Sequence, residues 1–122
     1  MADFALRYAI EMGEGNFFSH DSPLTGSFQV RSRPLLEAGY LRVGENIGLA
    51  QSPGSGDDWQ RWVAPIHQRF MDSGMHRENV LSAQWTVIGI ACWWQGDRFL
   101  VVEVFGRKDW NKPIEEKTAP LD

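Results

Sequence analysis

A chain of 122 residues, 43% hydrophobic and 23% charged, is long enough for one globular domain that buries a core without disulfide support. The net charge of −4, with no block of lysine or arginine, argues against nucleic acid or an anionic membrane surface as the main partner. The single cysteine, Cys92, excludes an internal disulfide, and no apolar run is long enough to span a bilayer.

The first predicted element is an amphipathic helix. Its apolar residues fall on one face at helical spacing, namely Ala5, Leu6, Ala9, Ile10 and Met12. Gly13 and Gly15 are expected to end it. Residues 17–23 follow as a loop that Pro23 stiffens, and this loop carries His20 and Ser22. Taken alone, His20 is more easily explained as an ordinary histidine of a surface loop.

A second helical region follows the loop. Ser27 is a suitable N-cap, because its hydroxyl can accept a hydrogen bond from an unpaired backbone N–H of the first turn. Pro34 lies inside the region and should kink or split the helix. Gly39 is the expected end.

Residues 44–50 combine two glycines with the polar pair Glu45 and Asn46. Glycine lets the backbone approach its neighbours closely. Because apolar residues flank Glu45, we expect its carboxylate to be buried, and a buried carboxylate needs a partner. Glu45 is therefore either a site residue or a structural carboxylate that binds backbone N–H groups, and the two roles can coexist.

Residues 51–58 are rich in glycine, serine and proline, and we expect a mobile loop there. Asp57 or Asp58 is the expected cap of a short helix, and Pro65 the first residue of a second one. His67 is interpreted as a packing or surface histidine of that second helix.

The second helix is expected to end at Ser73 and Gly74, where glycine accepts a left-handed conformation. His76 should lie in the turn just beyond, and Asn79 should lead toward a strand. A histidine held just past a helix end is well placed to face a cleft.

The last part of the domain is predicted to be a β-hairpin. Residues 87–92 have strand composition, residues 95–97 form the turn, and residues 99–105 are almost continuously apolar. Such a run is typical of a strand covered on both faces, and so of a sheet between helical layers. Glu103 interrupts the run and must be paired or face a cleft. Residues 108–122 are predicted to be a polar tail.

Several common catalytic motifs are absent from the sequence. It contains no G-x-S-x-G nucleophile elbow, no H-E-x-x-H zinc motif, no phosphate-binding P-loop and no G-x-G-x-x-G. Cys92 lies among apolar neighbours, so we expect a buried, chemically quiet residue rather than a nucleophile.

Five segments, in order along the chain, resemble the CAP superfamily (cysteine-rich secretory, antigen 5 and pathogenesis-related-1 proteins). They are FSHDSP, AGYLRVGENIGLA, FMDSGMHRENVL, VIGIA and VEVFG. The resemblance covers residues 5–106 and is strongest to the bacterial SCP-like branch, since eukaryotic members are usually rich in disulfides. It implies an α+β fold, a three-layer α-β-α sandwich with a small, mainly antiparallel sheet. The domain would span residues 1–107.

The same resemblance implies a site. Its main residues, catalytic if the protein is an enzyme, are His20, Glu45 and His76, and weaker candidates for ligand binding are Ser22, Asn46, Asn79 and Glu103. The family's second site glutamate cannot be assigned, because no acidic residue occupies the matching helix. The resemblance also implies an extracellular protein, although this chain shows no leader, and family members usually have a further helix before the first one.

Three classes of function stay open for these residues. His20 and His76 could hold Zn²⁺ or another divalent metal with an open position, in a secreted module that binds a small or lipid-like molecule. The same residues could serve a metal-dependent hydrolase, or act as general acid and base without metal. They could also only hold loops together in a structural or protein-interaction domain. We favour the first class.

Overall fold

The computed structural model describes residues 1–51 and 59–111. Its elements, in chain order, are α1 (Ala2–Gly15), α2 (Phe28–Arg31), α3 (Arg33–Ala38), β1 (Tyr40–Gln51), α4 (Trp59–Asp72), α5 (Gly74–Leu81), β2 (Val87–Gln95) and β3 (Arg98–Lys108). The predictions for Asp57 and Asp58, for the loop around them and for most of the C-terminal tail lie outside the described residues.

The three strands form one antiparallel sheet in the order β1-β3-β2. β2 and β3 are joined by the predicted tight turn, in which Gly96 adopts a φ of 62° that favours glycine. In the central row of the sheet, Glu103 of β3 lies between Asn46 of β1 and Ile90 of β2. The prediction that both segments of the hairpin belong to one sheet is confirmed.

Side chains alternate between the two faces of β3 and separate two cores. Leu100, Val102 and Val104 are buried in a cluster with α1. Phe99 and Val101 are buried on the other face, in a cluster with Ile66 and Phe70 of α4. A helical layer therefore covers each face, and the predicted three-layer α-β-α sandwich is confirmed.

Local capping rules account for most helix ends in the first half of the chain. α1 ends at Gly15 as predicted, although Asn16 takes the left-handed conformation with a φ of 53°. The hydroxyl of Ser27 caps α2 by accepting a 3.3 Å hydrogen bond from the Val30 N–H. Pro34 lies at the start of α3 and splits the helical region in two, and Gly39 ends it with a φ of 123°.

The prediction of two helices around Pro65 is wrong, because α4 is one helix that contains Pro65 in its interior. Proline there removes one backbone hydrogen bond. The packing of the next residue, Ile66, into the core together with Phe70 keeps the helix continuous.

The expected position of His76 also needs correction. Ser73 is extended, with φ −97° and ψ 121°, and it separates α4 from a further short helix, α5. His76 therefore lies in the first turn of α5 rather than in an irregular turn. Asn79 belongs to the same helix, and the next strand begins only at Val87.

Candidate functional site

Glu45 lies at the centre of a buried ionic cluster. Its side chain is 1% exposed and that of Arg31, in α2, is 5% exposed. The guanidinium donates two hydrogen bonds to the carboxylate, of 3.1 Å to Oε2 and 2.8 Å to Oε1. The Nδ1 atom of His20 lies 2.9 Å from the same Oε1. Both carboxylate oxygens are therefore engaged, which meets the expectation that Glu45 is buried with a partner.

Arg31 also fixes the loop that carries His20. It donates a 2.7 Å hydrogen bond to the His20 carbonyl, and its guanidinium carbon lies 3.3 Å from the centroid of the Tyr8 ring in α1. The Tyr8 hydroxyl donates to the carbonyl of Ser19. Burial raises the pKa of Tyr8 to about 12, so this hydroxyl stays protonated and remains a donor. The backbone of the His20 loop is thereby tied to both α1 and α2.

Asn46 follows Glu45 in β1 and points to the opposite face of the sheet. It is fully buried, and its side-chain amide nitrogen donates to the His76 carbonyl at 3.1 Å and to Glu103 Oε1 at 3.3 Å. Its amide oxygen accepts a 2.9 Å hydrogen bond from Asn79, whose amide also lies 3.4 Å from the Glu45 carbonyl. Asn46 thus fastens α5 to the sheet.

The His76 ring is held by two contacts near the junction of α4 and α5. Its Nδ1 atom lies 2.9 Å from the Ser73 hydroxyl, and the ring packs against Phe70 with centroids 5.3 Å apart. These contacts leave Nε2 as the ring nitrogen without a hydrogen bond to any described residue.

Glu103 forms a second buried carboxylate on the α4 face. It is 3% exposed, and burial raises its pKa, while the Asn46 hydrogen bond and the positive charge of His67 or His76 oppose that increase. The Oε2 atom lies 3.6 Å from Nδ1 of His67, whose side chain is 51% exposed. His67, interpreted from the sequence as a surface or packing histidine, is half-exposed and also lies next to a candidate site residue.

The structure joins some of the predicted site residues directly and others only through the backbone. His20 contacts Glu45, whereas His76 reaches β1 through its carbonyl and Asn46. Within residues 1–51 and 59–111, no hydrogen bond joins the two histidine rings, and no group of three or more His, Cys, Asp or Glu side chains is arranged to hold a metal ion. The Ser22 hydroxyl accepts backbone N–H groups of Leu24 and Thr25 and so stabilises a turn.

The sequence patterns did not single out Arg31 or Tyr8 as site residues. A signal for the cation existed, because a buried Glu45 requires a positive partner. The preceding helical region offers both Arg31 and Arg33, and spacing alone does not distinguish them. Tyr8 gave no signal beyond its place in the first amphipathic helix.

An open groove of about 520 Å³ lies next to the ionic cluster. Its apolar lining includes Phe28 of α2 and Trp85, and it shares Gly44 and Asn79 with the surroundings of Glu45. Trp85 stacks on Phe105, and its ring edge occupies the space that a side chain at position 44 would need. Its volume falls within the range of about 300–1,000 Å³ of small-molecule pockets, but the groove is open to solvent rather than enclosed.

The sequence matches the profile of the cysteine-rich secretory protein family, also called CAP, over residues 1–105. This chain belongs to the CAP family. The resemblance inferred from its motifs is confirmed. No curated protein matches the chain.

Two solved structures share the CAP fold of this chain. One is an extracellular protein containing an SCP domain from Bacillus anthracis, with 30% identity and a TM-score of 0.66, covering 88% of this chain. The chain spans only 31% of that protein. The other is an outer surface protein from Borrelia burgdorferi, with 18% identity and a TM-score of 0.66, covering 87% of this chain and 71% of that one. No helix in the described part of the chain is long and apolar enough to cross a membrane.

Proposed function

We propose that this CAP domain acts outside the cell and binds a divalent metal ion, Zn²⁺ in the first instance, through Nε2 of His20 and Nε2 of His76. The adjacent groove would hold a small organic or lipid-like ligand. The extracellular location is supported by the Bacillus anthracis neighbour, which is described as extracellular.

The orientation of the two histidines is the observation that carries this proposal. In each ring Nδ1 faces a protein oxygen, Glu45 Oε1 for His20 and the Ser73 hydroxyl for His76, both at 2.9 Å. A histidine that donates from one ring nitrogen presents the lone pair of the other, and metal-ligating histidines are usually held in this way.

Glu45 supports His20 in this arrangement rather than binding the ion itself. Its two oxygens accept three hydrogen bonds from Arg31 and His20, and a metal bond would displace at least one of them. The carboxylate would fix the His20 ring and raise its basicity as a ligand. A bound Zn²⁺ would supply a Lewis acid with water in its open positions.

A purely structural role is the second candidate, and the burial of the Arg31–Glu45 pair favours it. The cluster ties α1, α2 and β1 together whether or not a ligand binds nearby. In that case His20 would only complete the hydrogen bonds of Glu45.

Calorimetric titration with Zn²⁺ at pH 7.5 tests the proposal. We expect the wild type to bind, and His20→Ala and His76→Ala each to lose most of the affinity while keeping the fold. Affinity should also fall at pH 5.5, because imidazole must be neutral to bind a metal. Glu37→Ala, which removes an exposed carboxylate from α3, is the control, and it should bind like the wild type. Absence of binding by the wild type would leave the structural role.

A further inference from the structure

A second histidine–carboxylate pair, His67 and Glu103, lies on the α4 face of the sheet and contributes no ligand to the proposed metal site. We propose that this pair is a positioning device: ionised Glu103, supported by His67, fixes the side-chain amide of Asn46 in the orientation that holds α5 and His76 against β1. The inference rests on the proposed function only in taking His76 as a ligand.

The hydrogen-bonding capacity of the groups supports a single orientation of Asn46. An ionised carboxylate only accepts, so Glu103 selects the amide nitrogen of Asn46, at 3.3 Å. That nitrogen then also donates to the His76 carbonyl at 3.1 Å, and the amide oxygen is left to accept from Asn79 at 2.9 Å. All three contacts are satisfied together only in this orientation.

Protonation of Glu103 removes its preference for one orientation of the Asn46 side-chain amide. A protonated carboxyl group can donate as well as accept, so it can also pair with the amide oxygen of Asn46. In the flipped orientation the His76 carbonyl would face an acceptor, and the Asn79 amide would face a donor. The contact between α5 and β1 would be weakened.

His67 influences the pH at which Glu103 becomes protonated. Its Nδ1 atom lies 3.6 Å from Glu103 Oε2, and its ring is half-exposed to solvent. Burial raises the pKa of Glu103, and a positive charge on His67 or His76 lowers it again. On β2, burial raises the pKa of the Cys92 thiol, and the negative charge of Glu103 raises it further. β1 contributes only the neutral Asn46 to this set.

A pH titration of the side-chain amide signals of Asn46 and Asn79 by NMR, on metal-free protein, tests the proposal. In the wild type, we expect the signals of both amides to change together in a single step, at the pH where Glu103 titrates. His67→Gln should move that step to higher pH, because one of the positive charges that lower the Glu103 pKa is lost. Glu103→Gln should abolish the step, and Glu78→Gln, which removes an exposed carboxylate from α5, should leave it unchanged.

Two results would overturn the proposal: a step that survives in Glu103→Gln, or a step at the same pH in His67→Gln as in the wild type. If Glu103→Gln does not fold, His67→Gln still decides, because His67 is half-exposed and its replacement leaves the buried core intact. Since no metal is present, failure here is distinct from failure of the metal proposal, which the Zn²⁺ titration tests separately.

Discussion

Replacement of Glu45 by alanine should destabilise the protein strongly. The substitution leaves the buried guanidinium of Arg31 without its counter-ion and removes three hydrogen bonds. Breaking a buried ion pair from one side costs about 3–5 kcal/mol. Because Arg31 keeps its bond to the His20 carbonyl and its contact with Tyr8, we expect the lower end, about 3 kcal/mol. That is a large part of a typical stability of about 5–15 kcal/mol.

Urea unfolding followed by tryptophan fluorescence, in metal-free buffer, measures this loss. Glu78→Ala is the control, because Glu78 lies exposed on α5 and such changes usually stay within about 0.5 kcal/mol. The double variant Glu45→Leu/Arg31→Met should recover part of the loss, since it removes the uncompensated charge. If Glu45→Ala costs no more than Glu78→Ala, the ionic cluster does not anchor the fold and our reasoning about it is wrong.

Three further predictions concern the sheet. Gly48→Ala should cost roughly 1–3 kcal/mol of stability in chemical unfolding, because the new Cβ would lie 2.5 Å from Ile66 Cγ2. Gly74→Ala is the control and should be neutral, because its Cβ meets no atom within 4 Å, and equal costs for the two variants would contradict the packing. Cys92 is only partly buried, yet burial raises the pKa of its thiol and so disfavours the reactive thiolate. We therefore expect a thiol reagent to label the native protein much more slowly than the protein unfolded in urea, and equal rates would contradict this. Burial raises the pKa of Glu103 in the folded state, so its protonated form contributes stability at low pH that is lost as pH rises through that pKa. Glu103→Gln should therefore gain stability relative to the wild type as pH rises from 4, measured by urea unfolding at several pH values, and a constant difference would contradict this sign.

The sequence was sufficient to predict the layers of the fold because they depend on local patterns. The side chains of the apolar run in β3 alternate between two cores. Ser27 begins α2 and Gly39 ends α3 through contacts with residues only a few positions away in sequence. Pro65 shows the limit of this approach. A local rule predicts a helix start there, and packing of the residues that follow it overrides the rule.

The candidate site was only partly predictable. The motifs singled out His20, Glu45 and His76. Contacts between residues far apart in sequence cannot be predicted from sequence spacing. The contact between His67 and Glu103 joins residues of α4 and β3, and it depends on where the helix lies on the sheet. Glu103 was a candidate because it interrupts an apolar strand, while His67 lay on a helix without any feature that marked it.

The most direct test of the central claim is a crystal of the protein soaked in Zn²⁺ and measured at the zinc absorption edge. We expect one anomalous peak bonded to Nε2 of both His20 and His76, at about 2.0–2.1 Å from each. A peak on His67 and Glu103 instead, or none in a crystal whose two histidines are accessible to solvent, would contradict it.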